Sequence, residues 1–353
     1  MKKYFPPITL ILLVSNISFG QKRDTTILFF KAYYGRVISV SSIEEADYFR
    51  MVLPPDSGDD RHNIQEYYRS GKIKFIGKEY YTADTFDPLK INILFDGDCI
   101  SYFENGKRSN ISHFKNGNKI DLEYSFYPSG RVYCCLKHNS LNTPVFDNQL
   151  SWECYDLSGK LTCENGNGKW LVYDNNYQNL ELTGQVLNGL REGIWRGSIT
   201  IPDSISYQYQ FKNGRILSSM GYDKRSVPHP FKIAREPATY RTGQINFIDI
   251  LQSRIKIPRD IEGRKMTLDT ARLSFVVEKD GHIDEFDMPG EVNSLIKDAV
   301  FDGLKQCDHW TPYKLYGIPF RTKITIPIKE ITGYSDERYH KFIGYEERVL
   351  KDN

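Results

Sequence analysis

Phe103-Glu104-Asn105-Gly106-Lys107 is a short phrase that this chain repeats: an aromatic residue, two polar residues, glycine, then a base. The other copies are Tyr68-Arg69-Ser70-Gly71-Lys72, Tyr127-Pro128-Ser129-Gly130-Arg131 and Phe211-Lys212-Asn213-Gly214-Arg215. Tyr155 to Lys160 carries one extra residue, and Phe114-Lys115-Asn116-Gly117 lacks the base. Asn-Gly and Ser-Gly supply the positive φ of a tight β-turn, while the aromatic ends a strand where its ring covers a neighbour. Between the phrases lie short strand-like runs such as Ile120 to Tyr127 and Ser206 to Phe211. A hairpin cannot bury its own apolar face, so the phrases predict antiparallel hairpins stacked into a long sheet.

A second unit, Gly-x-Trp, occurs at Gly168-Lys169-Trp170 and Gly193-Ile194-Trp195, the latter after Asn188-Gly189. Together these phrases resemble MORN-type repeats, and more closely the variant of the bacterial YwqK family, over Tyr68 to Tyr222. The resemblance implies an elongated sheet rich in Tyr and Trp, a surface for a protein, a glycan or a lipid. The alternative is that the rings only bridge adjacent hairpins.

Outward from the repeats, Asp223 to Arg241 holds Pro228, Pro230 and Pro237 among charges and reads as a connector. Beyond it the periodicity changes. Phe247, Ile248, Leu251 and Ile255 fall at helical spacing before Ile257-Pro258. Ala271, Leu273, Phe275 and Val277 alternate as a half-buried strand, Asp280-Gly281 turns, and Ile283 to Met288 follows. Val292, Leu295, Ile296, Ala299 and Leu304 mark an amphipathic helix, and Phe320, Thr322, Ile324, Ile326 and Ile328 a last alternating strand. The expected fold is mainly β, with stacked antiparallel hairpin repeats followed by an α-β-β-α-β domain of the α+β class.

The segment Gly243 to Ile328 resembles the TonB C-terminal domain. Ala271 to Ile283 carries its strand and Asp280-Gly281 turn, and Trp310-Thr311-Pro312 with Gly317-Ile318-Pro319-Phe320 its second signature. Asp280, Gly281, Trp310, Pro312, Gly317 and Pro319 are the motif residues. The family adds a short peptide of an outer-membrane receptor to its sheet edge. Matched residue by residue, that role falls on Phe320, Arg321, Thr322, Lys323, Ile324, Thr325 and Ile326. The residues agree, because Pro327 donates no ladder bond and suits an edge, and Arg321 and Lys323 blunt one. A tail folding back over this strand is the competing expectation, since Ser335 to Lys351 has a mixed-charge helical pattern.

The N-terminus predicts export. Lys2 and Lys3 precede the apolar run Ile8 to Ile17, and Ser18-Phe19-Gly20 places small residues before Gln21. The run is about half of the ~20 residues a spanning helix needs, so cleavage leaves no stable membrane span. A retained anchor, which an energy transducer needs, is the rival. The chain has 47 Lys and Arg against 45 Asp and Glu, and losing Lys2 and Lys3 makes the balance 45 to 45. Such neutrality argues against a nucleic-acid partner. Expected boundaries are a signal peptide at 1–20, repeats at 21–222, a connector at 223–241, the TonB-like domain at 242–330 and a charged tail at 331–353.

No catalytic residue, cofactor or metal is expected. Glu278 to Ile283 fits a calcium loop poorly, with Val276 in the first ligand position. His309 lacks a partner at catalytic spacing, and Glu44, Glu45 and Asp47 read as a solvated cluster. Of the six cysteines, Cys154 and Cys163 flank the Ser158-Gly159 turn and are the best-placed pair, with buried free thiols as the alternative. The expected role is an exported periplasmic or envelope adaptor. Its partner is a protein or peptide, such as a TonB-dependent outer-membrane receptor, bound by strand addition. The rivals are a membrane-anchored energy transducer and an envelope glycan binder or enzyme acting through the repeats.

Overall fold

The computed structural model describes residues 25–33, 36–80, 94–138, 149–200, 203–241, 244–264, 266, 271–328 and 346–350. They are mainly β, with a long antiparallel sheet and two helices. Two compact units divide the chain, Met1–Gln149 and Leu150–Asn353.

The first unit contains β1 (Thr26–Tyr33), β2 (Arg36–Val40), β3 (Tyr48–Leu53), β4 (Arg61–Tyr68) and β5 (Ile73–Tyr80). It continues through β6 (Leu94–Phe95), β7 (Gly97–Tyr102), β8 (Arg108–Lys115), β9 (Asn118–Phe126) and β10 (Val132–His138). β1 pairs with both β2 and β3, and successive antiparallel pairings run from β3 to β5 and from β7 to β10. The same strand carries buried ions. Arg50 on β3 faces Glu66 on β4, and both are nearly sealed from solvent. Arg50 donates to Glu66 Oε1 at 2.5 and 3.0 Å, and Lys74 Nζ donates to Oε2 at 2.6 Å.

The second unit opens with a meander: β11 (Gln149–Tyr155), β12 (Leu161–Glu164), β13 (Asn167–Tyr173), β14 (Leu180–Leu187), β15 (Leu190–Ile199), β16 (Ile205–Lys212), β17 (Arg215–Tyr222) and β18 (Pro228–Pro230). Each pairs antiparallel with the next. After it come β19 (Arg235–Glu236), β20 (Thr239–Tyr240), α1 (Gln244–Arg254), β21 (Ala271–Val277), β22 (Ile283–Asp287) and α2 (Ser294–Lys305). The chain ends with β23 (Trp310–Thr311), β24 (Tyr313–Leu315), β25 (Ile318–Phe320), β26 (Thr322–Ile328) and β27 (Glu346–Val349). Asn293 caps α2, its side chain accepting from Leu295 N at 2.9 Å. Ile296, Val300 and Leu304 face the core, whereas Leu295, expected on that face, is 55% exposed.

The repeated phrase resolves into two kinds of hairpin. In Tyr68–Lys72, Phe103–Lys107 and Tyr127–Arg131 the first residue's N–H bonds the fifth residue's carbonyl at 2.8–2.9 Å, and only the glycine has positive φ. This is the three-residue loop with a glycine bulge. The copy with an extra residue closes on Asp156, whose N–H bonds Lys160 O at 3.0 Å, so the aromatic lies one position outside the loop. Asn116-Gly117, Asn165-Gly166, Asn188-Gly189 and Asn213-Gly214 instead have two successive positive φ angles, the mark of the tightest hairpin turns. In the second unit these turns bond to neighbouring strands and turns: Gly166 N to Trp152 O, Gly189 N to Gly166 O and Gly214 N to Arg191 O, all at 2.8–2.9 Å.

Asp223 to Arg241, read as a connector, is not irregular throughout. It carries β18, β19 and β20, which pair with β17, β24 and β23. Pro228 and Pro230 fit because β18 borders the meander and needs few donors. Nor is β21 half-buried: Ser274 and Val276 are 3% and 1% exposed, so all of it except Arg272 is interior.

Candidate functional site

The strand expected to bind a peptide is split by the structure. Phe320 ends β25, Arg321 turns the chain, and Thr322 to Ile326 belong to β26. β26 lies in a four-stranded sheet of order β22-β21-β26-β27. One side pairs along its whole length with β21, from Val277 opposite Thr322 to Ala271 opposite Ile328. The other side is taken by β27, with Thr322 opposite Val349 and Thr325 opposite Glu346, and Leu350 N extends the pairing to Arg321 O at 2.9 Å. Over Thr322 to Thr325 the edge is therefore occupied, by a segment of the tail that was the competing expectation. The helical pattern expected through Lys351 gives way there to a strand, because the main chain of Glu346–Val349 is satisfied by β26. Residues 329–345 lie outside the described residues. Pro327 marks an edge only locally, since β27 covers Thr322 to Thr325 and stops short of it.

Side chains on β26 divide by face. Thr322, Ile324 and Ile326 are buried with Phe275 and Trp310, whereas Lys323 and Thr325 are half-buried on the other side. Arg321 is committed to Glu278 at 2.8 Å and Glu285 at 2.6 Å. β27 adds a half-buried charge. The Glu347 carboxylate accepts from Ala238 N at 2.7 Å. Burial pushes its pKa up, against the pull of that N–H and of Arg235.

The motif residues cluster in two places. Gly281 (φ 91°) exchanges backbone contact with Trp310, whose N–H donates to Gly281 O at 2.7 Å. A Cβ on Gly281 would lie 2.0 Å from Trp310 O, so this glycine is required by close approach as well as by its dihedral. Asp280 caps the turn, accepting from His282 Nδ1 at 2.5 Å, and this pairing raises the pKa of His282. Trp310 packs among Tyr240, Phe247 and Phe275, with Nε1 bonded to Cys307 O at 3.0 Å. Pro312 lies between β23 and β24, while Gly317 and Pro319 belong to the β24–β25 hairpin. His309 is an exposed histidine with φ 75°.

That hairpin holds what the motif reading missed. Tyr316 (φ 50°) and Gly317 (φ 80°) form its tip, and the Tyr316 ring stacks on Tyr207 of β16 at 3.7 Å and 7°. Tyr207 lies between Gly197 and Gly221 in the sheet register. A Cβ on Gly221 would stand 2.1 Å from Tyr316 O. Phe231 closes the cluster edge-on at 5.4 Å. The repeat sheet and the C-terminal elements are thus joined by the Tyr316 main chain seated over Gly221 and by its ring stacked on Tyr207. At Gly184 it is a ring that fills the gap, the Cβ position lying 2.2 Å from the Trp195 indole. The signal available in sequence was glycine at mid-strand, where side chains are otherwise expected.

Beside this junction is a cavity of about 180 Å³ lined by Asp203, Asp223, Lys224, Arg225, His229 and Lys279, with Phe320 at its apolar wall. Asp223 is occupied by its own turn, accepting from Arg225 N and Val227 N at 2.9 Å, and these donors lower its pKa. Elsewhere, Asp47 of the acidic cluster accepts from Ala32 N at 2.8 Å, a structural role. All six cysteines are buried free thiols, and Cys154 and Cys163 stand directly opposite each other on β11 and β12. Among the described residues no group of three or more His, Cys, Asp or Glu is placed to hold a metal ion. No helix among them is long and apolar enough to cross a membrane. Neither a protein-family model nor a curated protein sequence matches the chain.

Proposed function

We propose that the chain is an exported, non-catalytic adaptor of the bacterial cell envelope, and that it binds an extended peptide segment which takes the place of β27 on β26. β27 already occupies β26 opposite Thr322 to Thr325, so binding there is an exchange of strands. One observation carries this reading. β26 is held by the seven-residue β21 on one side, but on the other by the four-residue β27, which faces only Thr322 to Thr325 and half-buries the Glu347 carboxylate. A short strand that half-buries an acid is a pairing readily given up.

The run of α1, β21, β22, α2 and β26, with Asp280-Gly281 and Trp310 meeting as one contact, supports likeness to a TonB C-terminal domain. Members of that family receive a receptor peptide as an added strand, and a TonB-dependent outer-membrane receptor is the partner of that chemistry. The repeat sheet, in its MORN-like form, serves as a docking arm fixed to this domain through Tyr316.

The test uses a chain ending at residue 345 and a labelled peptide of residues 346–353. The truncated chain is expected to bind the peptide, and the full chain to bind it at least tenfold more weakly. Equal binding by both chains, or none by a truncated chain whose circular dichroism matches the full one, would refute strand exchange. N-terminal sequencing of the protein from cells tests export: a start at Gln21 supports it, and an intact Met1 returns the chain to the anchored energy transducer.

A further inference from the structure

We infer that Cys154 and Cys163 are the site of a cross-strand disulfide that staples β12, a short strand inside the second unit's meander. The two residues are direct partners in the β11–β12 register, and their side chains are 0% and 1% exposed. Directly opposed residues of an antiparallel pair have Cα atoms about 4.5–5.5 Å apart, within the roughly 4.4–6.8 Å span of a disulfide. The two thiols also sense each other, since Cys154 adds to the burial that raises the pKa of Cys163 to about 12.

No other cysteine among the described residues is so placed. Cys99 stands opposite Ser112, Cys134 opposite Ser125, and Cys135 opposite Tyr124. Cys307 takes a guanidinium hydrogen bond from Arg254 at 3.5 Å.

The site also has a reason to be stapled. β12 is only four residues long, and its register runs from Cys163 to Leu161 against β11 and from Cys163 to Glu164 against β13. Its neighbours β13 to β17 are each seven to ten residues long. A strand this short opens locally more often than they do, which admits the oxidant to two thiols that are sealed in the closed form.

The reaction is an exchange with a low-molecular-weight disulfide. One thiolate attacks the oxidant and releases one thiol. The partner thiolate then attacks the mixed disulfide and releases the second, so two protein thiols and one oxidant disulfide become one protein disulfide and two free thiols. That the bond is occupied in cells rests on the export reading, because an oxidising compartment maintains it.

The experiment takes the full purified chain, reduced and unfolded in urea, and refolds it with an excess of oxidised over reduced glutathione. Free thiols are alkylated and tryptic peptides weighed. The expected product joins the fragments of residues 138–160 and 161–169, with the other four cysteines alkylated. The linked chain should also lose its protection from cleavage between residues 156 and 164 more slowly with temperature than C163S. A different pairing, or complete alkylation of both residues after refolding, would overturn the inference. The same mapping on protein taken from cells separates the two claims. A link that forms on refolding but is absent from cellular protein supports the pairing and counts against export.

Discussion

Replacing Tyr316 by alanine should uncouple the C-terminal elements from the repeat sheet. The ring makes two aromatic contacts, stacked on Tyr207 at 3.7 Å and edge-on to Phe231 at 5.4 Å. Each such pair contributes about 0.5–1.5 kcal/mol beyond area burial, so the two together give roughly 2 kcal/mol. The ring is only half-buried, which keeps the cavity cost small. The second unit spans Leu150–Asn353, and a domain of that size loses about 2–4 °C of midpoint per kcal/mol. Tyr316→Ala is therefore expected to lower its thermal midpoint by about 4–8 °C, read by differential scanning calorimetry. The double-mutant cycle with Tyr207→Ala should show a coupling of about 1 kcal/mol, because each change removes the same stack. A midpoint that barely moves, or strictly additive losses, would show that the ring contact does not join the two parts.

In the first unit, Glu66→Ala leaves the buried Arg50 without its carboxylate and should cost about 3–5 kcal/mol, seen as a lower urea midpoint; a cost below about 1 kcal/mol would refute the buried pair. Gly281→Ala places a methyl against Trp310 O and imposes an unfavourable φ. It should destabilise the second unit by more than about 2 kcal/mol in denaturant titration, and a neutral outcome would disprove the close approach. Glu347 has its pKa raised, so docked β27 holds a proton more readily than the free strand. Its contribution is full below the ordinary glutamate range near pH ~4.3 and is lost as pH rises through the docked value. The peptide of residues 346–353 should accordingly bind the chain ending at 345 more tightly at pH 5 than at pH 8. The Glu347→Gln peptide should lose that dependence, and identical profiles for both peptides would exclude this carboxyl as its source.

The hairpins were legible because turn chemistry is local: Asn-Gly and Ser-Gly dictate a reversal whatever lies around them. The helices and the strand from Ala271 were legible from periodicity for the same reason. What escaped was non-local. Asp223 to Arg241 looked like a linker because prolines weaken a central strand, yet β18 borders the meander, where missing donors cost little. Glu346-Glu347-Arg348 has the composition of a solvated helix, and only the main chain of β26 turns it into a strand. That pairing occupies the edge over Thr322 to Thr325, one of the two arrangements the sequence left open. Tyr316 lies between two motif residues but outside the motif, and its role depends on Gly221, far earlier in the chain.

The Asn-Gly turns of the second unit share one margin of the sheet, Gly189 N reaching Gly166 O and Gly214 N reaching Arg191 O. A lattice of this kind admits change only in whole periods. Deleting a single strand would send every later turn to the opposite border and break the bonds between turns, whereas excising a strand pair leaves the remaining reversals in step. The length of this meander is therefore a discrete variable, adjustable by even numbers of strands without redesigning the elements that follow it.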